Sequence, residues 1–197
     1  MKKYLALGDS YTIGEQIDYS QNFPSQLVQA LNARHADYFL DKLVAVTGWT
    51  TSELAAALAK EKPSAIYDLV TLLIGVNNQY RGLTLSEYEW QFYALLCQAI
   101  LFAKGEPGKV YVLSIPDWGL TPFNKDRDKN IITSEIDAYN KIVKETSLSM
   151  GCHFVDITGS TRLHAEDPDY LAPDGLHYAA KEYSVWVEKI LSQMNNP

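Results

Sequence analysis

Ser10, Asp174 and His177 are the residues of this 197-residue chain whose types suit nucleophilic catalysis. A serine hydroxyl is a weak nucleophile until a neighbouring base takes its proton. An imidazole supplies such a base, and a carboxylate fixes its tautomer and stabilises the imidazolium. In Asp174-Gly175-Leu176-His177 the three-residue separation suits a local turn, in which the carboxylate orients the ring while the ring reaches a distant Ser10. Taken singly these residues are bland. A serine in a strand-to-helix turn is usually a cap or turn former, and an Asp-x-x-His pair ahead of a helix usually caps it. Their combination is what points to chemistry.

Positioning such residues requires a scaffold, and the chain alternates short apolar runs with longer helical patterns. Residues Tyr4–Leu7, Phe39–Val46, Leu69–Ile74, Val110–Ile115 and His153–Ile157 read as strands, the middle ones nearly continuous apolar runs suited to burial on both faces. Helical spacing predicts helices over Phe23–Arg34, Leu54–Lys60, Tyr88–Lys104, Ser134–Met150 and Lys181–Met194. Thr50-Thr51-Ser52-Glu53 and Thr84-Leu85-Ser86-Glu87 offer capping boxes ahead of two of them. The alternation predicts one α/β domain over residues 1–197, with a parallel sheet and right-handed crossovers. In such sheets ligands bind beyond the carboxyl ends of the strands.

The loops at that rim carry Gly8-Asp9-Ser10-Tyr11, Thr47-Gly48-Trp49-Thr50, Gly75-Val76-Asn77-Asn78, Pro116-Asp117-Trp118-Gly119 and Asp174-Gly175-Leu176-His177. The Gly-x-Ser-x-Gly elbow of α/β-hydrolases is absent, since Thr12 stands two positions past Ser10. The dinucleotide fingerprint and the Walker loop are absent as well.

Four separated blocks, Gly8-Asp9-Ser10, Gly48, Gly75-x-Asn77 and Asp174-x-x-His177, resemble the GDSL, or SGNH, esterases and lipases in type and order. The resemblance spans residues 8–177. It implies a flavodoxin-like three-layer α/β/α sandwich with a five-stranded parallel sheet of order 2-1-3-4-5. It also implies hydrolysis of esters or thioesters without metal or organic cofactor. Ser10, Asp174 and His177 would be the catalytic triad. The backbone N–H groups of Ser10 and Gly48 and the Asn77 amide would form the oxyanion hole. Two positions depart from the pattern: Tyr11 stands where the family name has leucine, and Asn78 stands where the third block commonly ends in aspartate. The Asn78 change is expected to touch local rigidity or pocket polarity more than chemistry.

Around these blocks, Tyr11, Trp49, Trp118 and Tyr178 are candidates to line a substrate pocket, and Asp9 is expected to organise the turn. Residues 116–130 make a long connection mixing aromatics with charges, which suggests either a mobile flap or a solvated surface loop. His164, Glu166, Asp167 and Asp169 lack tight metal-ligand spacing.

Composition narrows the partners. Seventeen lysines and arginines against 24 aspartates and glutamates give a net charge of −7, which disfavours nucleic acid and anionic membrane. Four apolar residues near the N-terminus cannot form a signal-peptide core or span a bilayer, so the sequence reads as cytoplasmic. Cys97 and Cys152 read as buried reduced thiols. The expected partner is a small-molecule ester, preferably short-chain or a carbohydrate acetate, with no membrane insertion. An acyltransferase sharing the acyl-enzyme, and a non-catalytic binding module, are the rival functions. Oligomeric state is not legible.

Overall fold

The computed structural model describes residues 1–195. Five strands, β1 (Lys2–Gly8), β2 (Tyr38–Ala45), β3 (Leu69–Leu73), β4 (Val110–Leu113) and β5 (His153–Val155), form one parallel sheet of order β2-β1-β3-β4-β5. In β1, Tyr4, Leu5, Ala6 and Leu7 are fully buried, and all five residues of β3 are buried. A strand covered on both faces needs apolar side chains in both directions, which explains the unbroken runs. The one polar side chain inside β3, Thr71, bonds the Tyr4 hydroxyl at 2.7 Å, so each of these two buried hydroxyls has a partner.

The helices are α1 (Ser10–Ile13), α2 (Phe23–Ala33), α3 (Thr51–Glu61), α4 (Val76–Tyr80), α5 (Leu85–Phe102), α6 (Lys129–Ser149), α7 (Thr158–Leu163) and α8 (Ala180–Asn195). The crossovers place α2 against α8, and α5 between α3 and α6. The capping box forms at Thr50–Glu53, and Thr84 caps α5 through the Glu87 N–H. Helix α6 begins five residues earlier than the sequence spacing predicts. The charged stretch that reads as loop contains its cap, because the Asp128 carboxylate accepts the Asn130 N–H at 2.8 Å. Strand β4 stops two residues short of expectation, because the Asn140 side chain takes over both backbone groups of Ile115 at 2.7 and 3.0 Å.

Gly8, the last residue of β1, pairs with Ala45 on one side and Leu73 on the other. The loops bearing Ser10, Gly48 and Asn77 therefore leave the sheet side by side. Among the described residues no helix is long and apolar enough to cross a membrane. Both cysteines are free; Cys152 is buried, whereas Cys97 is half-buried rather than enclosed.

Candidate active site

The nucleophile candidate sits at the start of α1. Asp9 precedes it in extended conformation, and its carboxylate accepts the Tyr11 N–H at 3.1 Å, which caps the helix. Ser10 is the first helical residue, where a helix's own N–H groups have no internal acceptor. Asp9 is fully buried without a cation beside it, and burial pushes its carboxyl up to about 7.

His177 is delivered by a tight hairpin. Leu171 and Tyr178 form an antiparallel bridge, and the Ala172 N–H donates to the His177 carbonyl at 2.8 Å. Inside that turn the Asp174 Oδ1 accepts the backbone N–H groups of Leu176 and His177, both at 3.0 Å, while Oδ2 lies 2.6 Å from His177 Nδ1. The carboxylate is an acceptor, so Nδ1 carries the proton and Nε2 keeps its lone pair. Partial burial works to raise the Asp174 carboxyl. The hydrogen bonds from His177 and from the two backbone N–H groups outweigh it and hold the carboxyl below its ordinary value.

The hairpin is anchored at its base. The His164 ring stacks on Tyr170 at 3.7 Å and bonds the buried Glu182 carboxylate at 2.6 Å, and Trp186 Nε1 donates to the same carboxylate at 2.8 Å. An unbroken aromatic path then runs from the core to His177: Trp186 to Tyr178 at 5.5 Å, Tyr178 to Tyr11 at 5.7 Å, Tyr11 to His177 at 5.1 Å.

Gly48 and Asn77 come from the neighbouring loops. Gly48 has φ +82° and Gly75 φ +135°, conformations that L side chains rarely adopt. At Gly75 a Cβ would also fall 2.6 Å from the Tyr88 hydroxyl. The Asn77 amide donates to the Trp49 carbonyl at 3.0 Å, and its nitrogen lies 3.5 Å from Asp9 Oδ2. Asn78 is fully buried, accepting the Thr51 N–H at 3.0 Å and donating to the Thr51 hydroxyl at 2.7 Å. The amide at this departure position thus organises the loop using both a donor and an acceptor, and it does not line the cavity. Arg81 bonds the Gly48 carbonyl and pairs with Glu53 at 3.3 Å, tying the same loop to the capping box of α3.

Ser10, Gly48, Asn77 and His177 line one cavity of about 170 Å³, together with Tyr11, Thr47, Val76, Tyr80, Trp118, Phe123 and Leu176. Of the four aromatic candidates, Tyr11 and Trp118 face it. Tyr178 is fully buried beneath Tyr11, and Trp49 contributes its carbonyl to Asn77 while its half-buried ring packs on the core. Arg81, Tyr80 and Phe123 went unread in the sequence. Tyr80 and Arg81 follow the Asn77 block directly, at the end of a helix too short to show periodicity.

Phe123 belongs to the long connection after β4. There Trp118–Leu120 forms a 3-10 turn, and the Asn124 side chain bonds the carbonyls of Gly119 and Arg127 at 2.8 and 2.9 Å. Arg127 donates to the Tyr80 carbonyl at 3.0 Å with its guanidinium 4.4 Å from the Tyr80 ring centroid, and the Phe123 N–H donates to the Gly175 carbonyl at 3.1 Å. Asp117, fully buried, ties this segment down through Arg162 at 2.9 Å and Thr133 at 2.8 Å. In this structure the connection is a fastened wall of the cavity.

Among the described residues no group of three or more histidine, cysteine, aspartate or glutamate side chains is arranged to hold a metal ion. His164 instead belongs to the Glu182 anchor.

The family model of the GDSL-like lipases and acylhydrolases matches residues 6–185. No curated protein matches the chain significantly. Solved structures share the fold. The acetylxylan esterase Axe2 from Geobacillus stearothermophilus is 19% identical, with a TM-score of 0.76 over 100% of this chain and 95% of that one. The lipase/acylhydrolase from Enterococcus faecalis is 20% identical, with a TM-score of 0.72 over 98% and 95%. The psychrotrophic esterase EstA from Pseudoalteromonas sp. is 15% identical, with a TM-score of 0.71 over 99% and 97%.

Proposed function

Because the chain belongs to the GDSL-like lipase/acylhydrolase family, we propose that it hydrolyses short-chain carboxylic esters through an acyl-enzyme on Ser10. The observation that carries the reading is the convergence of Ser10, Gly48, Asn77 and His177 on one cavity, with His177 Nδ1 held at 2.6 Å by Asp174.

The steps follow from those positions. His177 Nε2 takes the Ser10 hydroxyl proton as Oγ attacks the ester carbonyl carbon, and Asp174 stabilises the imidazolium. The carbonyl oxygen becomes an oxyanion. It is received by the backbone N–H groups of Ser10 and Gly48 and by the Asn77 N–H that faces Asp9 Oδ2 at 3.5 Å before substrate binds, a long contact that the oxyanion replaces. Collapse expels the alkoxide, which takes the proton from His177 and leaves as alcohol. Water then attacks the acyl-enzyme with His177 again as base, releasing the carboxylic acid and restoring Ser10.

Size argues for a short acyl group. An apolar cavity of roughly 150 Å³ holds one benzene, and this cavity is about 170 Å³ with Tyr80, Trp118 and Phe123 on its walls. Acetyl esters, including those of carbohydrates, fit that space, and one fold neighbour is an acetylxylan esterase. The test is hydrolysis of p-nitrophenyl esters of increasing chain length by wild type and Ser10→Ala. The reading expects the fastest turnover on the shortest acyl groups and a loss of several orders of magnitude in the variant. A Ser10→Ala protein as fast as wild type would overturn it.

A further inference from the structure

Gly48 is assigned to the oxyanion through its backbone N–H, yet little in its own chemistry fixes where that N–H lies. Glycine adopts positive and negative φ about equally readily. Among the described residues, no protein acceptor takes the Gly48 N–H. Beyond the chain neighbours, a Cβ at Gly48 would meet a single heavy atom within 4 Å, Arg81 Nη2 at 3.7 Å. The glycine is not packed into place from that side; one guanidinium lies against it.

The loop is held from α4 instead. Asn77 and Arg81 are four residues apart and share a face of that turn, with the Arg81 N–H closing the helix on the Asn77 carbonyl at 3.1 Å. Arg81 Nη2 donates to the Gly48 carbonyl, and the Asn77 amide donates to the Trp49 carbonyl at 3.0 Å. The guanidinium is itself fixed. Its Nη1 lies 3.3 Å from Glu53 Oε2, the same oxygen that accepts the Thr50 N–H at 2.8 Å. Asn78 completes the series by accepting the Thr51 N–H at 3.0 Å. Side chains therefore hold one backbone group on each of four successive residues, 48 to 51. Arg81 holds the first directly and steadies the third through Glu53, by charge-assisted bonds.

This clamp bears on the chemistry because two oxyanion donors come from different elements. The Gly48 N–H belongs to the loop after β2, and the Asn77 amide belongs to α4. An oxyanion needs each donor at about 2.7–3.1 Å at the same moment, so the offset between loop and helix must be set closely. Among the described residues, Arg81 is the side chain of α4 and its cap that bonds Gly48 itself. It lies outside the cavity lining, so it acts through Gly48 and not on the ester.

We propose that Arg81 is a positioning residue for ester hydrolysis. Its guanidinium, bridged between the Gly48 carbonyl and Glu53, holds the Gly48 N–H at the spacing from Asn77 that the oxyanion requires. The inference rests on the acyl-enzyme reading given above.

The test compares wild type, Arg81→Ala, Arg81→Met and Ser10→Ala on p-nitrophenyl acetate, with thermal melting read in parallel. A misplacement of 1 Å in a site can cost about 10²-fold, so both Arg81 variants should lose about ten- to hundredfold in kcat. KM should stay close to wild type, because the lost contact forms only after attack. Ethylboronic acid, which makes a tetrahedral adduct with a serine hydroxyl, should bind more weakly by a similar factor. The Arg81 side chain is 46% exposed, so free guanidinium can enter the space that truncation leaves. At about 50 mM, far below the molar concentrations that unfold proteins, it should restore most of the lost kcat to Arg81→Ala. It should restore none to Arg81→Met, whose side chain fills that space, and sodium chloride at the same concentration should do nothing. A kcat within twofold of wild type in both Arg81 variants would overturn the proposal. So would a loss that falls on KM alone, or one that guanidinium leaves unchanged in Arg81→Ala. Ser10→Ala separates the two levels. If it is inactive while the Arg81 variants are unimpaired, only the role of Arg81 falls; if it is as fast as wild type, the acyl-enzyme reading falls too.

Discussion

The Asp9 carboxylate and the Asn77 amide meet at 3.5 Å where the first and third loops leave the sheet. One carboxylate thus caps the helix that presents Ser10, the proposed nucleophile, and faces the side chain assigned to the oxyanion. It is fully buried, and its carboxyl is pushed up to about 7. In the unfolded chain the same group titrates near 4. Between those values the folded protein binds a proton that the unfolded chain has released. Stability therefore falls as pH rises from about 4 to about 7 and then levels off, a change of a few kcal/mol. Asp9→Asn, which keeps the Tyr11 cap acceptor and cannot ionise, should remove that slope. Chemical denaturation of both proteins across this range checks it, and parallel curves would contradict it.

Asp174→Asn should lower kcat by about 10³–10⁴ with little change in KM, because an amide can no longer hold His177 in the Nδ1–H tautomer. The partner geometry is short at 2.6 Å, so the loss should not be recovered at high substrate concentration. Steady-state kinetics on a short-chain ester, with the fold checked by circular dichroism, measures the split between kcat and KM.

Asn77→Ala should cost about 10²–10³ in kcat, the usual effect of removing one oxyanion donor. It also frees the Trp49 carbonyl that Asn77 now occupies, so some loss of thermal stability should accompany the kinetic effect. An unchanged kcat would move the oxyanion away from this side chain.

Phe123→Ala should widen the cavity where Phe123 meets Tyr80 and Trp118, at ring distances of 6.4 and 6.1 Å. Discrimination against one extra methylene is worth about 1–3 kcal/mol in an apolar pocket. The ratio of kcat/KM for hexanoyl over acetyl esters should therefore rise at least tenfold. The Gly175 carbonyl is bonded by the Phe123 backbone, so the variant keeps that tie and reports side-chain volume alone.

The parallel sheet and the five long helices were legible because buried parallel strands read as unbroken apolar runs and because caps punctuate the helices, whereas the strand order came only with the resemblance carried by the four blocks. The start of α6 was not, since Asp128 lies inside a run of charges that resembles a solvated loop. The block residues were legible through their types and spacing: Ser10, Gly48, Asn77 and His177 do converge on one cavity, and Asp174 holds the imidazole. The pocket walls were harder. Tyr178 and Trp49 adjoin block residues in sequence, yet Tyr178 turns into the core beneath Tyr11 and Trp49 meets the site through its carbonyl. Phe123 and Tyr80 reach the cavity from positions that carry no periodic or motif signature. Arg81 acts through a backbone carbonyl across two loops, a contact that only the folded chain brings about.

The central assignment is the nucleophile, and covalent labelling addresses it most directly. The protein is treated with an organophosphonate ester reagent, and the modified residue is located by peptide mass spectrometry while residual hydrolysis is followed. The account predicts one adduct per chain, on Ser10, with activity lost in proportion to labelling and no adduct on Ser10→Ala. Full inactivation with the peptide containing Ser10 unmodified, or complete labelling of Ser10 with hydrolysis intact, would contradict it.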